Sequence, residues 1–440
     1  MKTSQQIIDE NREYTFFSWS VQNLVNPIPV AKAEGVYFWD ADGKRYLDFS
    51  SQLMNTNIGH QHPHVVQAIQ DQAGKLCFVH PGNATEPRGE LGKKLALVTP
   101  GTLKKTLFTL GGAEANENAI KMARYYTGRH KILARYRSYH GATHGAIALT
   151  GDYRRLAVEP TMPGAIHFLD PFCYRCPFGQ KAGACKMECL AHVEEVIQYE
   201  GVDKIAAIIM EGVVGSNGLI IAPDGYWQGI RALCDKYGIL LISDEVMSGW
   251  GRTGEWFAVD HWDVVPDIIT TAKGITSGYV PLGAVIVSEK IAQYFDDKML
   301  SAGLTYNGHA LACAAALATI EVYEQDGLIE NARMVGKHLG ARLEELKKNH
   351  RSIGDVRYIG LFTAIELVSD QQTRQPVSAA NMAKVNAYLR QNGLFTFIMA
   401  NQFGSILFIV PPLCISIQQL EEGLQIIEGA VALVDGLLLS

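Results

Sequence analysis

Charge is scarce in this chain of 440 residues: 19% are Asp, Glu, Lys or Arg, and 39 basic against 45 acidic side chains leave a net charge of −6. Without a Lys/Arg-rich stripe there is no electrostatic footprint for nucleic acid, which is excluded as the main partner. Cysteine is thin as well. Eight in the whole length make no disulfide framework and point to a reducing compartment, the cytoplasm. No apolar run approaches the roughly 18–20 residues of a membrane span. The longest, Ala310–Ala318, is alanine-rich and reads as a buried helix. The opening MKTSQQIIDENREYTFFSW shows no apolar core of signal-peptide length. Internal repeats and low-complexity tracts are missing too. What the chain does have is hydrophobicity, at 48%, with 42 glycines and 16 prolines, and this excludes a mostly disordered polymer.

The pattern changes along the chain. An irregular aromatic arm (Tyr14, Phe16, Phe17, Trp19) is followed by GVYFWDADGKRYLDFSS, whose alternation around Asp42-Gly43 predicts a hairpin. Short apolar runs then alternate with helical spacing. Strands are expected at 106–110, 131–136, 166–169, 205–210, 239–243, 267–271 and 284–287, with helices near 114–126 and 226–237. Strands that do not alternate, separated by helices, imply an α/β architecture with a mostly parallel sheet covered on both faces. After residue 320 the rhythm lapses, and long helices at 329–349, 382–391 and 417–434 flank a few short strands. The expected division is an N-terminal arm and hairpin (1–64) belonging to a small domain, a large domain (65–320) and a smaller α+β domain (321–440).

Ligands of open α/β sheets sit beyond the carboxyl ends of the strands, and three segments place polar groups there. At Leu110-Gly111-Gly112-Ala113-Glu114 a strand runs into a helix through two glycines, so bare backbone N–H groups at a helix start suit a phosphate. Asp244 follows the buried run 239–243, where a carboxylate needs a cationic partner; the bland alternative is a cap or salt bridge. Lys273 ends Asp267-Ile-Ile-Thr-Thr-Ala272; enclosed by apolar walls, its amine loses basicity and becomes a nucleophile, whereas at the surface it is an ordinary strand-end lysine. Together, a phosphate site, an acid and a nucleophilic lysine at neighbouring strand ends describe a pocket for pyridoxal 5′-phosphate.

Six ordered stretches carry a specific resemblance: DFSSQLMNTNIGHQHP (48–63), GGAEANENAIKMAR (111–124), SYHGAT (138–143), the run from Met210 to Trp256, TTAKGITSGYVPLGAV (270–285) and TYNGHALACAAALA (305–318). Over nearly its whole length the chain resembles the class III (ω-) aminotransferases of the type I pyridoxal phosphate fold. The resemblance implies a large domain with a mostly parallel seven-stranded sheet plus a smaller α+β domain. It also implies roles. Lys273 matches the lysine joined to the cofactor, Asp244 the partner of its ring nitrogen, Val246 and Tyr139 the residues on its two ring faces, with His140 adjacent. Gly112 and Ala113 match the phosphate turn. Thr305 matches a residue reaching the partner subunit's cofactor, which implies a homodimer with shared active sites, a tetramer also being open. Glu211 matches a glutamate near the reacting amine, and Leu53 and Met54, with Phe17 and Trp19, align roughly with pocket-lining positions; plain packing is the alternative for the aromatics.

The chain departs from the family at positions that bear on substrate. Members acting on 4-aminobutyrate or ornithine carry an arginine three residues before a Pro-Pro pair, whereas Phe408 stands there, before Pro411-Pro412. A phenyl ring cannot clamp a carboxylate, and Arg12 and Arg137 are the candidate substitutes. Met247 stands in place of a frequent glutamine, and Gly111 and Ala113 in place of hydroxyl residues. Cys173-x2-Cys176-x8-Cys185-x3-Cys189 has spacing that could hold a metal, but free thiols or an adventitious disulfide are favoured, and no metal is expected. His60 and His62 read as hydrogen-bonding residues of a turn. The expected activity moves an amino group from an ω-amino acid or primary amine (taurine, β-alanine, 4-aminobutyrate or a simple amine) to pyruvate or 2-oxoglutarate. An aminomutase or amino-acid racemase shares the fold and is the alternative; a non-catalytic cofactor carrier is the remote one.

Overall fold

The computed structural model describes residues 2–181 and 184–439. Among the described residues sixteen strands occur in chain order: β1 (Val30–Glu34), β2 (Tyr37–Asp40), β3 (Arg45–Asp48), β4 (Leu103–Thr109), β5 (Lys131–Arg135), β6 (Ala165–Phe168), β7 (Ile205–Glu211), β8 (Leu240–Asp244), β9 (Ile268–Thr271), β10 (Gly283–Ser288), β11 (Ile353–Ile359), β12 (Phe362–Asp370), β13 (Gln375–Pro376), β14 (Leu394–Phe395), β15 (Ile398–Asn401) and β16 (Gly404–Ile409).

The central sheet has seven strands in the order β4-β10-β9-β8-β7-β5-β6. β7, β8, β9 and β10 are buried at every residue, which is why their apolar runs show no alternation: helices cover both faces. All neighbours pair in parallel except β10, which runs antiparallel to both β9 and β4. The amino end of β10 therefore lies beside the carboxyl ends of the others, Gly283 opposite Thr109. Helix Gly112–Thr127 stops at Gly128, whose φ of 67° is open to a residue without a Cβ.

Two smaller sheets flank this layer. β1-β2-β3 is the N-terminal meander, and β14 joins it parallel to β3, far along the chain. β11-β12-β16-β15 form the other, with β13 attached to β12. The expectation of a few short strands after residue 320 is corrected here. β11 and β12 have 7 and 9 residues and pair as a hairpin, and β12 is buried over its first seven because the sheet packs under long helices. One of these, Ile417–Leu437, opens with a reciprocal cap between Ser416 and Gln419. Among the described residues, no helix is long and apolar enough to cross a membrane.

Candidate active site

A cavity of about 480 Å³ opens at the carboxyl ends of β4, β5, β7, β8 and β9. Its walls include Gly112, Ala113, Tyr139, His140, Glu211, Asp244, Val246 and Lys273, which the sequence had scattered over more than 160 positions, together with Leu53 and Met247. On one side stands the start of helix Gly112–Thr127, whose first N–H groups have no partner within the helix. A Cβ placed on Gly112 would stand 2.8 and 2.9 Å from the two methyls of Val246, so only glycine lets the turn and the valine share this wall.

Asp244 ends β8 and is 3% exposed. Its Oδ1 accepts from Val246 N at 3.0 Å, and its Oδ2 accepts from Asn116 Nδ2 at 2.8 Å and lies 2.8 Å from His140 Nδ1. Lys273 follows β9 at a φ of 46°, a left-handed conformation uncommon for a side chain this size and characteristic of functional turns. Burial pushes its ammonium down to about 8, opposed by the Asp244 and Glu211 carboxylates and assisted by the positive field of Arg154. At that value the amine is neutral in a useful fraction of molecules near neutral pH.

Glu211 ends β7 and is buried, and burial raises its carboxyl above the usual range. Both its oxygens are engaged: Oε1 accepts from Tyr139 N at 3.0 Å and Oε2 from Gly215 N at 2.8 Å. It thus braces the Tyr139 backbone and the 211–215 loop while lining the cavity.

Three expected site residues lie elsewhere. Met54 is 2% exposed and Phe408 is fully buried, and neither lines the cavity. Residues 51–54 all have positive φ, and this left-handed turn aims Leu53, 61% exposed, at the cavity while tucking Met54 into the core. Phe408 lies on β16 with its ring 5.1 Å from that of Phe397. Thr305 is exposed in a turn, apart from the cavity walls. Nor does either candidate arginine line it. Arg12 is exposed and donates to Asn23 O at 3.4 Å. Arg137 lies between the rings of Phe172 and Phe403 at 4.7 and 5.0 Å and donates to Phe403 O, and burial lowers its guanidinium to about 10.

A cation that sequence reasoning missed stands closer. The Arg154 guanidinium stacks 4.0 Å above the ring of Tyr139, a cavity wall, and 5.6 Å from that of Trp19. Its Nε donates to both oxygens of Asp152 at 3.0 Å, and its Nη2 donates to Asp152 and, at 2.9 Å, to Ser216 Oγ. Asp152, buried, also accepts from Asn217 Nδ2. The plane is fixed from one edge, and Nη1 has no hydrogen-bond partner among the described residues. Nothing in the spacing of Asp152-Tyr-Arg154 marks it, since its loop joins the site only through tertiary packing.

Cys173, Cys176, Cys185 and Cys189 are free thiols; Ala182 and Gly183 of the same segment lie outside the described residues. Among the described residues, no three His, Cys, Asp or Glu side chains are grouped to hold a metal ion. His60 Nε2 lies 3.1 Å from Asp48 Oδ2, and His62 Nε2 lies 3.2 Å from Asp326 Oδ2.

An amine nucleophile, an acid held by N–H donors and a bare helix start around one cavity suit an aldehyde cofactor with a basic ring nitrogen and a phosphate. Comparison with known proteins agrees. The family model described as "Aminotransferase class-III" matches residues 18–431, and the chain belongs to that family. It is a transaminase, and its cofactor is pyridoxal phosphate. Among solved structures, the taurine:2-oxoglutarate aminotransferase of Bifidobacterium kashiwanohense, in complex with PLP and glutamate, is similar with a TM-score of 0.94, 43% identity and 99% of each chain covered. A taurine–pyruvate aminotransferase of Bilophila wadsworthia is 33% identical over 98% of both chains. A leucine/methionine racemase of Thermococcus litoralis is 38% identical over 93% of this chain and 91% of its own.

Proposed function

We propose that the chain moves an amino group from an ω-amino acid or ω-aminosulfonate, of the taurine, β-alanine or 4-aminobutyrate kind, to pyruvate or 2-oxoglutarate. The observation that carries this reading is Arg154, which does not itself line the cavity but is clamped by Asp152, stacks on Tyr139, which does, and acts on Lys273 through its charge, with Nη1 unengaged. It is suited to receive the acidic end of a donor whose amine lies at Lys273. It takes the place of the arginine absent at Phe408.

When bound, pyridoxal phosphate supplies an aldehyde that takes up amines and a ring that draws electrons from the carbon bearing them. Lys273 Nζ would hold the cofactor's aldehyde, and once free, its weakly basic amine would take up and return the proton of the donor's amine-bearing carbon. Asp244 would be the counter-charge of the ring nitrogen, with Asn116, His140 and the Val246 N–H directed at the carboxylate. Gly112 and Ala113 would offer backbone N–H groups to the phosphate, and Tyr139 and Val246, both on the cavity wall, would hold the ring. Glu211 keeps Tyr139 in place by accepting from the Tyr139 backbone N–H. Met247 presents a thioether, a weak acceptor that cannot donate to the cofactor.

Two copies are proposed to form a homodimer, each lending Thr305 to the other's phosphate. The exposure of Thr305 away from its own cavity supports this. Eight free thiols suit the cytoplasm.

The racemase at 38% identity favours one other reading, inversion of a single amino acid without an acceptor. The test is purified enzyme given taurine, β-alanine, 4-aminobutyrate and a simple primary amine, each with and without pyruvate or 2-oxoglutarate. Product amino acid should form with the acidic donors and only when an oxo acid is present. Racemisation of an amino acid with no oxo acid added would replace this proposal with the other.

A further inference from the structure

Asn116 takes no part in the resemblance-based roles, yet it is 1% exposed inside the second turn of a helix, where asparagine is a poor choice unless its amide is used. All of it is used. Nδ2 donates to Asp244 Oδ2 at 2.8 Å and to His140 O at 2.7 Å, and Oδ1 accepts from Thr270 Oγ1 at 2.6 Å. The amide has only one workable orientation. Turned over, its oxygen would face a carboxylate and a carbonyl, both acceptors, and its NH2 would meet a hydroxyl already positioned by a buried strand. Thr270 belongs to β9, three residues before Lys273, and pairs with Asp244 across the sheet. Asn116 is four residues along the helix that begins at Gly112.

We infer that Asn116, oriented by the Thr270 hydroxyl, is a positioning residue for Asp244, tying the acid to the phosphate turn, to the Tyr139-His140 segment and to the strand that carries the lysine. One side-chain amide spans the four segments that must converge on the cofactor. Its bond to a carboxylate is charge-assisted, and with both partners almost fully buried a missing donor is poorly replaced by water. Asp244 Oδ2 thus receives two side-chain N–H groups, and its remaining acceptor capacity is left aimed by them. This role is independent of which donor the enzyme uses.

The test combines Asn116→Ala, Thr270→Val and the double variant. Cofactor affinity is read by titrating each apoprotein with pyridoxal phosphate in absorbance, and kcat and KM are measured on the loaded enzymes. Asn116→Ala should weaken cofactor binding by about tenfold, one charge-assisted hydrogen bond, and lower kcat with the donor KM little changed. Thr270→Val, nearly isosteric, should cost less, and that cost should vanish in the Asn116→Ala background, because the hydroxyl acts only through the amide. An equal cost of Thr270→Val in both backgrounds would overturn the relay. Cofactor affinity and kcat within about twofold of the parent in both single variants would overturn the whole inference. Should Asn116→Ala fail to fold, Asn116→Asp keeps the shape and sets a second acid against Asp244. It must then lose cofactor affinity by more than Thr270→Val does, and retained affinity would overturn the inference.

Discussion

If burial depresses the Lys273 ammonium from 10.5 to about 8, the cofactor-free enzyme captures pyridoxal phosphate at pH values where a surface lysine would be inert. The sign is fixed by which form reacts: the neutral amine attacks, so attachment speeds up as pH rises and levels off above the pKa. At pH 7.5 a group of pKa 8 is neutral in roughly a quarter of molecules, and one of 10.5 in about one in a thousand, a difference of about 200-fold in reactive amine. The assay mixes apoprotein with cofactor across about pH 6.5 to 10.5, quenches with borohydride, and counts the attached fraction against time. The initial rate should bend to a plateau near pH 8. Arg154→Gln, by removing a positive field, should carry the bend upward. A rate that still climbs tenfold per pH unit beyond about 9.5 would refute the desolvation argument.

Three further outcomes follow from particular contacts. Arg154→Lys keeps the charge but loses the planar fork, and should raise KM for taurine or 4-aminobutyrate by about tenfold or more while sparing a neutral amine donor, as steady-state kinetics on both will show. Gly112→Ala drives a methyl into Val246 and should weaken cofactor binding by about 1–3 kcal/mol, and Val246→Ala added to it should restore most of the loss in the same titration. Phe408→Arg places an unpaired charge in a fully buried position and should destabilise the fold by about 3 kcal/mol or more in denaturant melts without new preference for 4-aminobutyrate. A stable variant with gained activity on that donor would put residue 408 back at the pocket.

The parts that could be read before any coordinates were those whose signal is local. β7 and β8 declare themselves because strands covered on both faces leave uninterrupted apolar runs, and Asp244 and Lys273 stand out as charges where such runs end. Arg154 and Asn116 could not be found that way, since one is brought against Tyr139 only by tertiary packing and the other looks like any polar helix residue. The misplacement of Met54 has a different cause. Four successive positive φ values at Ser51, Gln52, Leu53 and Met54 occur with no glycine among them, so the turn that separates Leu53 from Met54 leaves no mark in composition. It is enforced from afar: Ser51 Oγ donates to Val410 O and accepts from Arg252 Nη2, both remote in sequence.

The pairing of β14 with β3 sets an order of assembly. Leu47 N donates to Gly393 O and Phe49 N to Phe395 O, each at 2.8 Å, so the meander made first by the ribosome waits for a partner made almost last. The seven-stranded sheet, drawn from residues 103–288, is complete in sequence long before then. During synthesis the outer edge of β3 is an open template for another chain, and a product truncated before residue 394 keeps it open for good.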